Sequence, residues 1–291
     1  MKAFIFPGQG SQFPGMGSEL KEITKAKEMF NTANEILGFK ISDIMFNGTK
    51  EELKKTNVTQ PAIFIHSIIL SNIMEKFNPD MVAGHSLGEI SALTAAKVIT
   101  FEEGLELVKT RSEEMQIACE NNNSTMAAVL QLSEEKIEEI CNEIDGIVVP
   151  ANYNCPGQVV ISGELKAIEI ACEKMIQNGA RRAIILPVGG AFHSPIMESA
   201  KEKLANKIEE IVFKNPTCPI YQNVCAEPIT NIDTLKKNLI EQLISPVKWN
   251  HTINNMINNG AEYFTEIGPG KVLQGLLKKI NPNVNISNFE I

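Results

Sequence analysis

The sequence predicts an α/β protein: one large domain made from both ends of the chain, interrupted by a small α+β subdomain. Two observations predict it. Between about residues 125 and 190 the patterns run strand, helix, strand, strand, helix, strand, the ferredoxin-like (βαββαβ) order. On either side of that stretch, short apolar runs alternate with helical patterns, and several of the runs stop at glycine-rich turns. The large domain therefore takes residues 1–124 and 191–291, and the subdomain takes 125–190.

Taken in order, residues 2–6 form an apolar run that stops at Pro7-Gly8-Gln9-Gly10, a buried strand feeding a glycine loop. Residues 18–37 are helical in pattern, with Leu20, Ile23, Ala26, Phe30, Ala33 and Leu37 at helical spacing. A second helix follows Thr59-Gln60-Pro61, with Thr59 as N-cap and Pro61 in the first turn. Met81-Val82-Ala83 is a strand that runs through Gly84-His85-Ser86-Leu87-Gly88 into a helix over 89–96, and 101–119 is again helical. Inside the subdomain, strands are expected at 126–130, 147–151, 158–162 and 182–188, and helices at 133–144 and 165–177. Ser133 caps the first of these helices, and Glu134 and Glu135 suit the positive end of its dipole. The alternation then resumes: helix 196–211, strand 219–223, a helix near 235–243, strand 263–266 and helix 271–280.

A chain of 291 residues, 43% apolar and 21% charged, can bury a large core. Ordinary apolar content with a net charge of −8 spread along the chain excludes disorder. That acidic balance argues against sequence-independent nucleic-acid binding, which runs on clustered Lys and Arg. No membrane segment is expected, because the most apolar stretch, 61–74, is short and carries His66, Ser67, Ser71 and Asn72. The apolar run before Pro7 is also too short for a secretory signal. Six cysteines without a C-x-x-C pair give no zinc or redox spacing, so buried reduced thiols and a cytoplasmic location are expected.

The sharpest local signal is Gly84-His85-Ser86-Leu87-Gly88, a G-x-S-x-G between a strand and a helix. A nucleophile on a tight elbow needs flanking residues without Cβ atoms. The helix starting at Leu87 then aims its N–H groups at negative charge developing on a substrate oxygen. The three fixed positions recur by chance ~0.1 times in such a chain, and the strand-to-helix context favours the nucleophile over a bland turn. A serine needs a base, and four histidines are available. His85 adjoins the serine, but a sharp elbow points neighbouring side chains apart, which leaves it an orienting or packing role. His66, in an apolar helical run, reads as a core or helix-face residue, and His251, in a polar segment, reads as exposed. His193 lies in Gly189-Gly190-Ala191-Phe192-His193-Ser194-Pro195, where the subdomain hands back to the large domain and a cleft is expected. It is the expected base.

Nucleotide readings of the glycine loops fail on spacing. Phe13 stands where a third glycine is required, and Met16 and Gly17 stand where a P-loop needs Lys and Ser/Thr. Gly268-Pro269-Gly270-Lys271 reads as a structural turn. Arg111, on the 101–119 helix, is not distinguished by its surroundings from Arg181 or Arg182; a lone helix arginine is ordinarily solvated or ion-paired.

Six motifs now stand in one order: Phe6-Pro7-Gly8-Gln9-Gly10-Ser11-Gln12, Thr59-Gln60-Pro61-Ala62, Gly84-His85-Ser86-Leu87-Gly88-Glu89, Ala191-Phe192-His193-Ser194-Pro195, Ser245-Pro246-Val247-Lys248-Trp249 and Glu266-Ile267-Gly268-Pro269-Gly270-Lys271. Together they resemble the malonyl-CoA:acyl carrier protein transacylases of type II fatty-acid biosynthesis, whose relatives serve polyketide synthases. The likeness runs from the first residues to about residue 280. It implies an α/β-hydrolase-like large domain carrying the ferredoxin-like subdomain, with malonyl-CoA and acyl carrier protein as partners and neither cofactor nor metal. It further implies Ser86 as nucleophile, His193 as general base, and the backbone N–H groups of Gln9 and Leu87 as oxyanion hole. Arg111 aligns with the arginine that holds the malonyl carboxylate, although Ser112 follows it where glycine is frequent. Lys248 stands where a main-chain carbonyl orients the histidine, at a position where Gln is common. Ala191-Phe192-His193 resembles the malonyl-selective form of its motif. Competing readings are a stand-alone acyltransferase of a polyketide synthase, a serine thioesterase or hydrolase, and a non-catalytic carrier-binding module.

Overall fold

The structure, a computed structural model, describes residues 1–289. Glu290 and Ile291, the last positions of the expected 191–291 segment, lie outside the described residues. From the N-terminus come β1 (Lys2–Phe6), α1 (Thr24–Leu37), α2 (Ile41–Asn47), α3 (Thr56–Ile73), β2 (Met81–Gly84), α4 (Gly88–Ala95) and α5 (Phe101–Glu120). The middle of the chain gives β3 (Ser124–Leu130), α6 (Glu134–Asn142), β4 (Val148–Cys155), β5 (Gln158–Glu164), α7 (Leu165–Gln177) and β6 (Arg182–Ile185). The return adds α8 (Glu198–Glu210), β7 (Ile220–Tyr221), β8 (Pro228–Ile229), α9 (Ile232–Glu241), α10 (Trp249–Asn258), β9 (Tyr263–Glu266), α11 (Val272–Ile280) and β10 (Asn285–Asn288).

One sheet has the order β10-β9-β1-β2-β7-β8 and is parallel except for the edge strand β8. Its strands come from the two ends of the chain. In such a sheet ligands bind outside the carboxyl ends of the strands, and here β1, β2 and β9 all open onto glycine turns at that edge. The register pairs Phe6 with Gly84, so the Gln9 loop and the Ser86 turn leave the sheet side by side.

The second sheet, β4-β5-β3-β6, is antiparallel, with β5 inserted between the co-directional β3 and β4. This is the split βαβ of the ferredoxin-like order. Helices α6 and α7 cover one face, burying Val129, Ile137, Ile140, Ile161, Ile168 and Met175. Met126, Ala151 and Val160 on the other face join the core of the large domain. β4 is also tied to the large domain by main-chain bonds: Tyr153 N donates to Val247 O at 2.9 Å and Val247 N to Ala151 O at 2.8 Å.

The expected helix at 165–177 and the strand at 263–266 coincide with α7 and β9. Elsewhere the boundaries move for identifiable reasons. The 18–37 pattern breaks into a 3₁₀ turn at Ser18–Leu20 and α1, because Ile23 takes extended backbone with ψ 117°. Thr59 is not an N-cap. Helix α3 begins at Thr56, Pro61 lies in its second turn, and Thr59 Oγ1 donates to the Leu53 carbonyl. The strand expected at 182–188 ends at Ile185, and the one expected at 147–151 runs on to Cys155. Helix α3 is buried on almost every side, yet among the described residues no helix is long and apolar enough to cross a membrane.

Candidate active site

At the carboxyl edge of the first sheet, Ser86 sits on the turn between β2 and α4 with φ 53°. A non-glycine residue in this region costs about 1–3 kcal/mol and persists only where its surroundings fix it. Both flanking glycines are required by close approach. A Cβ on Gly84 would overlap the Gly88 backbone, and a Cβ on Gly88 would overlap the Phe6 carbonyl. The elbow is clamped from outside by Asn223: its Oδ1 accepts from Ser86 N at 2.8 Å and its Nδ2 donates to Gly84 O at 2.7 Å. Asn223 is in turn fixed by Glu89 of α4, whose carboxylate accepts from Asn223 N at 2.7 Å and from Gln222 Nε2 at 3.1 Å. Burial raises the Glu89 carboxyl to about 7, against the hydrogen bonds that favour its charge.

Ser86 Oγ lies 2.8 Å from His193 Nε2. His193 also takes a left-handed backbone, with φ 57°, and is 3% exposed. Its Nδ1 is 2.8 Å from the main-chain carbonyl of Gln242. A carbonyl can only accept, so Nδ1 carries the proton and Nε2 is free to take one from the serine. Here the expectation for Lys248 is corrected. Its carbonyl accepts from Thr252 N at 2.8 Å in the first turn of α10, and its N–H donates to Asn223 O at 3.1 Å. Gln242 supplies the orienting carbonyl because α9 ends at Glu241, and carbonyls at a helix end lack helical partners. Its side chain ties the site together: Nε2 donates to Ser86 O at 3.1 Å, and Oε1 accepts from Arg111 Nη2 at 3.1 Å.

Arg111 is wholly buried, contrary to the ordinary fate of a lone helix arginine. It stands on the inward stripe of α5, in line with Leu107, Val108 and Met115. That spacing was in the sequence and marks the position. Nη1 donates to Gln60 Oε1 at 2.6 Å and Nη2 to Ser86 Oγ at 3.1 Å, while Nε is buried with no partner among the described residues. Burial lowers the guanidinium to about 10, with Glu89 opposing that fall. Burial first, and the Arg111 charge second, push His193 down to about 3 from its ordinary 6.5. The imidazole is therefore neutral at physiological pH, as a base must be. A depressed histidine stabilises the fold above pH 6.5, and the contribution is lost as pH falls from 6.5 toward about 3.

Gln9 and Leu87 join Ser86, His193 and Gln60 in the wall of a cavity of about 180 Å³, and the second sheet roofs it with Met126, Asn152, Asn154 and Val160. Among the described residues neither the Gln9 nor the Leu87 backbone N–H has an acceptor. Two free donors beside a serine–imidazole pair can hold an oxyanion. The other histidines lie outside this chemistry. His85 Nε2 bonds Asn154 Oδ1 at 2.9 Å and its ring packs edge-on against Trp249. His66 is buried against Glu19 at 3.0 Å, and the His251 side chain is 48% exposed. Asn223, Gln242 and Gln60 were not singled out from sequence. The only signal for the clamp was Glu89, a carboxylate heading an apolar helix.

The acyl transferase domain family matches residues 3–287 of this chain. A malonyl CoA-acyl carrier protein transacylase of Bacillus subtilis (strain 168) is 45% identical over 288 residues, covering 96% of this chain and 90% of that protein. Among solved structures, an acyl carrier protein S-malonyltransferase from Vibrio cholerae O1 biovar eltor str. N16961 gives a TM-score of 0.95 at 37% identity, over 99% of this chain and 96% of its own. A type II polyketide synthase acyl carrier protein in complex with its malonyl-transacylase contributes a chain at TM-score 0.94 and 37% identity, over 99% of this chain and 94% of that one. Likeness of this extent takes in both sheets and the cleft between them, and the chain belongs to the acyl transferase domain family, among the malonyl CoA-acyl carrier protein transacylases.

Proposed function

We propose that this chain moves the malonyl group from malonyl-CoA to the phosphopantetheine thiol of acyl carrier protein through a malonyl ester on Ser86. The observation that carries the reading is a buried, under-satisfied guanidinium 3.1 Å from a serine that is itself 2.8 Å from an imidazole. Ser86 Oγ attacks the thioester carbonyl as its proton passes to His193 Nε2. The carbonyl electrons move onto oxygen, held by the N–H groups of Gln9 and Leu87, each worth about 3–4 kcal/mol in sites of this kind. Collapse breaks the C–S bond, and CoA leaves with the proton from His193. In the second half the carrier thiol gives its proton to His193 and attacks the ester, and Ser86 Oγ departs and regains a proton. The proton that leaves with CoA is replaced by the one from the carrier thiol, so Ser86 and His193 end as they began and the cycle as proposed uses no cofactor or metal.

Arg111 selects the acid. A planar guanidinium binds a carboxylate in two-point fashion, and acylation of Ser86 frees the Nη2 donor now spent on Oγ. Acetyl-CoA would leave that buried charge unanswered. Because burial and Arg111 hold His193 low, kcat/KM for malonyl-CoA is expected to stay level as pH falls through 6.5, its acid limb lying well below the ordinary imidazole range. A pH–rate profile with an inflection near 6.5 contradicts this.

The carrier is proposed to be that of fatty-acid biosynthesis. A second reading, a polyketide carrier, is supported by the similar malonyl-transacylase bound to a type II polyketide synthase carrier. Rates of transfer to the two holo carriers decide between them. A thioesterase is distinguished by acceptor: malonyl-CoA incubated without carrier is expected to yield negligible free malonate, and rapid hydrolysis overturns the transferase reading. A cytoplasmic location belongs to the same proposal, supported by six unpaired cysteines.

A further inference from the structure

The roof of the catalytic cavity holds a polar side chain that the transfer scheme leaves idle. Tyr153 of β4 packs into the subdomain's own core. Asn152 pairs with Val160 on the opposite face, Asn154 sits in a bulge between Tyr153 and Cys155, and both line the cavity. Their situations differ. Asn154 Oδ1 is engaged by His85. Asn152 is 7% exposed, and its carboxamide makes no hydrogen bond among the described residues. Such a group offers two donors and an acceptor to whatever enters the cavity. Its neighbours in the roof, Met126, Val160, Leu186 and Val188, are apolar. The strand that presents it is fixed, since Val247 bonds the main chain at both Ala151 and Tyr153.

We propose that the Asn152 carboxamide hydrogen-bonds the amide of the pantetheine arm nearest the thioester. The inference rests on the transfer reading above. CoA and the holo carrier present the same arm, so one side chain in the roof serves both half-reactions. The placement suits it: Asn152 lies two residues before Asn154, whose contact with His85 is beside Ser86, and all four residues line the same cavity. In the arm, two methylenes separate the sulfur from its first amide nitrogen.

The test compares malonyl-CoA, malonyl-N-acetylcysteamine, which keeps that one amide, and malonyl ethanethiol, which has none. In the wild type kcat/KM favours the two amide-bearing thioesters over the third. In Asn152→Leu this preference is expected to fall about tenfold for both, and Asn152→Asp, which keeps an acceptor, retains part of it. An unchanged ratio between the thioesters in Asn152→Leu overturns the assignment, even if all three rates drop together. Should that variant not fold, Asn152→Ala carries the same comparison, because the ratio is internal to each protein. A folded wild type inert toward all three thioesters overturns the transfer reading itself, and this assignment with it.

Discussion

Replacing Ser86 by alanine is expected to abolish the mass gain that the wild-type protein shows on mixing with malonyl-CoA, and to lower transfer to the carrier on the order of 10⁶-fold. That is the scale on which nucleophile removal acts when serine and histidine work as a unit. The two groups share one hydrogen bond of 2.8 Å, so His193→Ala should cost about as much, and the double variant little more. The fold should survive. The elbow is held by Asn223 through Ser86 N and Gly84 O, not through the hydroxyl. Intact-mass spectrometry reads the result, and a persistent adduct in Ser86→Ala would place the nucleophile elsewhere.

Arg111→Ala should produce the second largest effect, and a different one. Loss of a buried charge-assisted pair with the malonyl carboxylate is worth about 2–4 kcal/mol, or roughly 30- to 1000-fold in kcat/KM for malonyl-CoA. Acetyl-CoA has no carboxylate to lose, so its transfer should persist or rise, and the preference for malonyl disappears. A second readout is independent of the substrate's charge. The Arg111 charge is the second-largest influence lowering His193, so its removal should move the acid limb of the pH profile upward. Equal losses toward malonyl- and acetyl-CoA would sink the assignment.

The fold was largely legible because it is written in local pattern. Periodicity found β1, β2, β7 and β9 of the first sheet and all four strands of the second, which follow the expected βαββαβ order. Misses fell where the pattern is weak. Helix α10 carries four asparagines, which are poor helix formers, and is held by burying Trp249, Ile253 and Met256. The edge strand β10 alternates between exposed and half-buried residues and has little apolar signature. The site divides the same way. Ser86 and His193 were readable from an elbow and a domain junction. Arg111 could have been found from its place on the apolar stripe of α5, since a cation among Leu107, Val108 and Met115 must be buried with partners.

What local sequence cannot encode is a main-chain role. The carbonyl that orients His193 belongs to Gln242 rather than Lys248 because of where α9 ends and the chain turns. Any residue type could supply it. The Asn223 clamp likewise joins positions far apart in the chain, and only the β2–β7 pairing brings them together. Positive φ at both Ser86 and His193 is a tertiary decision too. Neither side chain demands it, and the surrounding bonds impose it.

Malonyl-enzyme freed of excess malonyl-CoA, then split between buffer and holo carrier, puts the central idea to its sharpest trial. Loss of the Ser86 ester should be fast only with carrier present, and the carrier should gain one malonyl group for each ester lost. Release of malonate at the same rate in both samples, or failure of any ester to form, would contradict an arginine-guided serine that hands its acid from thiol to thiol.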